Sequence, residues 1–126
     1  MAQYLLMCCQ PEVDPAEEAE DEAGMAMLHE LHRNLRAAGI LVDVQRLRSV
    51  ESATSVRVRD GQTEITDGPF AVTKESLAGY YLVECADLDE AIKVASSLTG
   101  AVSGTIEVRP VIPPADWADE AAEDPA

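Results

Sequence analysis

The chain has 126 residues, 47% of them apolar, with 24 acidic against nine basic side chains and a net charge of −15. That length suits one domain with one core, and no run of residues is long and apolar enough to cross a bilayer as a helix. Twelve of the acids sit in two flanks without a single base, seven in residues 1–22 and five in residues 113–126, so the middle sets twelve acids against all nine bases and is nearly balanced. With no basic face to neutralise phosphates, nucleic-acid binding is excluded. The opening residues, Met1 to Gln10, lack a basic region and a cleavable apolar segment, so no signal peptide is expected. Cys8 and Cys9 are adjacent and Cys85 is distant, which fits neither a zinc site nor an even disulfide framework. Reduced thiols in a cytoplasmic protein are the simplest reading.

Tyr4-Leu5-Leu6-Met7-Cys8-Cys9 reads as a short strand, apolar on both faces, ended by Gln10-Pro11. Asp14-Pro15, with Glu17 three residues beyond the aspartate, has the form of a helix N-terminus. Gly24 interrupts, so the helix starts either at Pro15 with a weak point or after Gly24. From Met25 the pattern is clear: Leu28, Leu31, Leu35 and Ala38 form one stripe, and Gly39 is suited to end it. Ile40 to Gln45 is the second strand. Ser55-Val56-Arg57-Val58-Arg59 and Gln62-Thr63-Glu64-Ile65-Thr66 then flank Asp60-Gly61, the sequence of a tight hairpin. A two-residue loop pairs Arg59 with Gln62, Val58 with Thr63, Arg57 with Glu64 and Val56 with Ile65.

Asp67-Gly68-Pro69-Phe70 is a demanding turn, and the chain's only phenylalanine is expected to pin it to the core. Ala78 to Cys85 is a further strand, apolar on both faces. Asp87 with Glu90 repeats the capping pattern, and Leu88, Ala91, Ile92, Ala95 and Leu98 make a second helical stripe. Thr105 to Val111 is the last strand. Pro113-Pro114 opens an acidic tail in which Trp117 is the one bulky apolar residue. The domain is thus expected over residues 1–112, with an acidic insertion at about 12–24 and a tail at 113–126.

The order β-α-β, hairpin, β-α-β is a split βαβ plan with an inserted hairpin, an α+β, ferredoxin-like fold with two helices on one face of an antiparallel sheet. Two helices cover one side only, yet two strands are apolar on both. A two-fold homodimer, sheet face against sheet face, is therefore expected.

Val56-Arg57-Val58-Arg59-Asp60-Gly61, Asp67-Gly68-Pro69-Phe70, Thr73-Lys74-Glu75, Gly79-Tyr80-Tyr81-Leu82, Asp89-Glu90-Ala91 and Glu107-Val108-Arg109-Pro110-Val111, in this order, resemble the YCII-related proteins of the DGPF type. The resemblance covers roughly residues 2–112 and implies a ferredoxin-like fold of the dimeric α/β-barrel kind. It departs where Val72 replaces an acid. Members are mostly uncharacterised bacterial proteins, some found with or fused to extracytoplasmic-function sigma factors, so a sigma factor is implied as a partner. A distant relative is a dehydrochlorinase acting on a chlorinated hydroxyquinol, which implies enzyme activity.

On the last strand Ile106 and Val108 point one way and Thr105, Glu107 and Arg109 the other. If the apolar pair faces the helices, Arg109 either holds a carboxylate or enolate in its planar fork or forms a structural ion pair with Glu107, Asp43 or the second subunit. Asp67 either caps its turn or acts as a general base against an apolar wall such as Phe70. Tyr80 and Tyr81 point to opposite faces, and one of them borders any cleft. His29 and His32 read as surface residues. The expected site therefore takes Asp67 and Arg109 as reacting groups, Arg109 polarising an oxygen and Asp67 or else a histidine moving the proton, with Phe70, Glu107 and Tyr81 binding a small aromatic or acidic molecule. No phosphate loop, serine elbow or metal-ligand cluster is legible, and neither cofactor nor metal is expected. The reaction class implied is cofactor-free proton transfer, isomerisation or elimination; the alternative is a regulatory partner of a sigma factor.

Overall fold

The computed structural model describes residues 1–11, 22–71, 73–99 and 104–118. The strands are β1 (Ala2–Gln10), β2 (Leu41–Arg46), β3 (Thr54–Arg59), β4 (Gln62–Asp67), β5 (Ser76–Cys85) and β6 (Thr105–Pro110), and the helices are α1 (Glu22–Ala37) and α2 (Leu88–Thr99). Short 3-10 turns follow β2 at Val50–Ser52 and β6 at Pro114–Asp116. The main sheet has the order β2-β5-β1-β6, all antiparallel, while β3 and β4 form a two-stranded sheet of their own. This is the ferredoxin-like α+β fold with a hairpin inserted between its halves.

Alternation along the strands decides what each face carries. Tyr4, Leu6 and Cys8 of β1 and Tyr81, Val83 and Cys85 of β5 are buried, and they join Leu35, Leu41 and the buried face of α2 in one core. Their neighbours Leu5, Met7, Tyr80 and Leu82 are half-buried on the opposite face. Leu6, Val83, Cys85 and Leu98 are fully enclosed. Burial of each large aliphatic side chain of this kind contributes about 1.5–3 kcal/mol.

The helix ends follow from local chemistry. α1 runs through Gly24 without a break. It closes with Ile40 N–H donating to Leu35 C=O at 2.9 Å and Gly39 N–H to Arg36 C=O at 3.0 Å, the paired bonds of a Schellman end. α2 begins with Glu90 N–H donating to Asp87 Oδ1 at 2.9 Å, while the Glu90 carboxylate accepts from Ala86 N–H at 3.4 Å. The expected cap is thus present, with its return bond one residue earlier than a regular capping box. The candidate helix start at Asp14-Pro15 lies outside the described residues, as does most of the acidic tail.

Three expectations about burial are corrected. The α2 stripe is Ala91, Val94, Ala95 and Leu98, and Leu88 and Ile92 are each 47% exposed because the 100° step per residue carries them to its edge. Ala38 is exposed, since the chain leaves the helix there. Phe70 is 87% exposed and pins nothing to the core. Among the described residues no helix is long and apolar enough to cross a membrane.

The hairpin register agrees pair for pair with the alternation, from Arg59 with Gln62 to Val56 with Ile65, and extends to Thr54 with Asp67. Asp60 and Gly61 have φ of 51° and 76°, the doubly left-handed turn that matches the twist of a hairpin. Its base is tied by Gly68 N–H donating to Ala53 C=O and Ser55 Oγ–H to Gly68 C=O, both at 2.7 Å.

Candidate functional site

Within one chain the five expected site residues do not come together. Tyr81 lies on the helix-facing side of β5 and is 5% exposed. Glu107 and Arg109 are exposed on β6, on the face away from the helices, as the alternation required. Asp67 ends β4 and Phe70 follows in the next turn, both exposed and both at the foot of the hairpin. A sheet separates Tyr81 from Arg109.

What the fold does bring together is Tyr81 and His32. His32 Nε2 lies 2.8 Å from the Tyr81 hydroxyl, and the rings meet edge to face with centroids 5.2 Å apart. The expectation that His32 is a surface residue is therefore corrected: it is half-buried. The signal was present, because His32 stands four residues after Leu28 and three before Leu35, on the same stripe. His29 stays exposed, its ring 6.4 Å from that of His32.

The electrostatics of this pair set its chemistry. Burial, then the neighbouring charges of His29 and Arg36, hold the His32 pKa below its ordinary 6.5. Burial pushes the Tyr81 hydroxyl up to about 12, Cys8 adds to this and Arg46 opposes it. At neutral pH the imidazole is thus uncharged and the phenol keeps its proton. A neutral imidazole accepts from the phenol when Nδ1 holds its proton and donates to it when Nε2 does. Such a pair offers a base and a hydrogen-bond donor side by side.

One backbone position beside the pair is closed to any side chain. A Cβ on Gly79 would stand 2.6 Å from the Gln45 carbonyl oxygen of β2 and 3.3 Å from Arg46 Cα. Glycine lets β2 approach β5 there, and Gly79 pairs with Arg46 on one side and Cys8 on the other. Burial first, then Cys9, raises the Cys8 thiol to about 11, so it is a poor nucleophile at neutral pH.

The opposite face of the sheet has its own order. One row across it reads Asp43, Leu82, Leu5, Arg109, and the next reads Gln45, Tyr80, Met7, Glu107. Tyr80 donates its hydroxyl to Asp43 Oδ2 at 2.9 Å, and Gln45 Nε2 donates to Asp43 Oδ1 at 3.4 Å. That bond to Asp43, then burial, holds the Tyr80 pKa above its ordinary value. The Asp43–Arg109 ion pair considered from sequence does not form within the chain: the two residues lie on opposite edge strands, about 14 Å apart at ordinary strand spacing. Among the described residues no group of three or more His, Cys, Asp or Glu side chains is placed to hold a metal ion.

The model of the YCII-related domain matches residues 3–115, which include both helices and, Ala2 apart, all six strands. The chain belongs to the YCII-related family. It is also similar to an uncharacterized protein of Rhizobium meliloti (strain 1021), 40% identical over 112 residues that take in 86% of this chain and 90% of that protein. In this YCII-related chain the His32–Tyr81 pair sits on the helix side of the sheet, and the Asp43-to-Arg109 row on the other.

Proposed function

We propose that this YCII-related protein binds a small acidic molecule, aromatic or enolic, beside α1 and β5, and moves a proton on it without a cofactor. The observation that carries this reading is the His32–Tyr81 contact, a neutral base against a protonated phenol. With the proton on Nε2, that N–H donates to the Tyr81 oxygen, and His32 Nδ1 takes a proton from an acidic C–H or O–H. Tyr81 hydrogen-bonds the oxygen on which negative charge develops. Arg36 and Arg46, whose charges act on His32 and Tyr81, favour an anion there. The base is thus His32 rather than Asp67, and the oxygen is polarised by Tyr81 rather than Arg109.

Arg109 and Glu107 belong in this reading to a homodimer formed through the face away from the helices. That face is apolar along its middle strands, with an acid at one end of a row and an arginine at the other. A two-fold axis parallel to the strands lays Asp43 of one copy over Arg109 of the second, and Leu5 over Leu82. The face is then complementary to itself in charge as well as in shape, the property an isologous interface needs.

A thermal-shift screen of small aromatic carboxylic and 2-oxo acids tests the binding. A ligand that prefers the folded state raises the melting temperature. The reading expects such a shift with the native chain and a smaller one with Tyr81→Phe. Equal shifts for both, or none across the screen, contradict it.

A further inference from the structure

The β3–β4 hairpin presents two unlike faces. Arg57, Arg59, Glu64 and Gln62 share one, and cross-strand pairing sets Arg57 opposite Glu64. Val56, Val58 and Ile65 share the other, and they are 64%, 65% and 68% exposed. Such alternation is the mark of a strand pair with one buried face, yet this face is buried against nothing in its own chain. A two-stranded hairpin standing alone is marginal in water, and three aligned β-branched side chains do not stay wet without cost.

We infer that the hairpin is an arm that packs its Val56–Val58–Ile65 face on a second copy of the chain. This rests on the dimer described above and extends it. The argument for a second copy is one of area. With β1, β2, β5 and β6 of nine, six, ten and six residues, at about 3.3 Å per residue and about 4.8 Å between strands, the open face of the main sheet has a footprint of about 490 Å². A stable interface buries about 800 Å² on each partner. The sheet alone reaches about three fifths of that. Each hairpin of two six-residue strands adds about 190 Å² by the same spacings. In a two-fold pair each copy both gives an arm and receives one, so the sum, about 870 Å², reaches what a stable dimer requires. The arm starts where β2 ends and finishes where β5 begins, at one end of the sheet that carries the dimer face.

The test is a photo-crosslinking amino acid in place of Val58, combined with sedimentation of two charged variants. The inference expects light to give a covalent dimer of the full chain. It also expects Val56→Asp with Ile65→Asp to raise the dimer dissociation constant at least tenfold while circular dichroism stays native. Crosslinks confined to the arm's own chain, or an unchanged dissociation constant in the charged variant, overturn it. Leu82→Glu on the sheet face separates this failure from that of the dimer reading. If Leu82→Glu weakens the dimer and the hairpin variants do not, the sheet interface stands and the arm falls. If the native chain sediments as a monomer at micromolar concentration, both fall.

Discussion

The Tyr81 hydroxyl and His32 Nε2 meet at 2.8 Å and so join the middle of α1 to the middle of β5 across 49 positions of sequence. The bond is part-buried, with Tyr81 enclosed and His32 half-buried, so each group gains by having the other as its partner. Tyr81→Phe leaves the imidazole without its partner and is expected to cost about 1 kcal/mol of stability, the net worth of one such bond. Urea unfolding followed by circular dichroism measures it. A variant as stable as the native chain would mean that the contact contributes nothing to the fold.

The same pair sets a dependence on pH. The folded-state pKa of His32 is depressed below its ordinary 6.5. The unfolded chain therefore takes up its proton first as pH falls. The contribution of His32 is present in full above about pH 6.5 and is lost as pH falls through the folded value. The comparison is between the native chain and His32→Gln, which isolates the imidazole. The urea midpoint of the native chain is expected to fall further than that of the variant between pH 7.5 and pH 5.5. Parallel curves would show that His32 titrates alike folded and unfolded.

Gly79 tests the close approach of β2 to β5. The backbone atoms that a new methyl group would meet belong to Gln45 and Arg46, and neither can swing aside as a side chain would. Gly79→Ala is expected to destabilise by about 1–3 kcal/mol, the range for overpacking a well-filled interior. Gly68→Ala is a useful control, since it has open space around it but a φ of 91°. A smaller loss at position 79 than at position 68 would put the constraint in the turn rather than between the strands.

Much of the architecture was legible because it is local. The hairpin register follows from Asp60-Gly61 and six alternating residues on each side, and the α2 start from Asp87 and Glu90. The sheet order follows from the split βαβ plan. The site was harder to read, for two physical reasons. Which strand residues share a face with which helix depends on contacts far apart in sequence, and nothing local to Tyr81 or Arg109 tells that a sheet divides them. Rarity is also no guide to burial at Phe70, whose neighbours in the turn hold the chain by backbone bonds and leave the ring outside. At His32 the stripe of α1 carried the information, but an imidazole on such a stripe does not announce its partner on another strand.

The proposed pairing of Asp43 with Arg109 between copies gives a charge-reversal test. Asp43→Arg alone and Arg109→Asp alone each place like charges together and are expected to weaken the dimer. The double variant restores opposite charges and is expected to recover most of the lost affinity. Analytical ultracentrifugation at low and moderate salt reads all three, with weaker effects at the higher ionic strength. Double-variant losses that equal the sum of the single ones would remove this pairing.

The most direct measurement follows deuterium entering a carbon acid. A small aromatic 2-oxo acid such as phenylpyruvate is incubated in heavy water with the native chain, with His32→Gln and with Tyr81→Phe, and exchange at its acidic C–H is followed by proton nuclear magnetic resonance. The account predicts exchange faster than in buffer with the native chain, lost with His32→Gln and slowed with Tyr81→Phe. Exchange at the buffer rate with the native chain, or undiminished with His32→Gln, would contradict it.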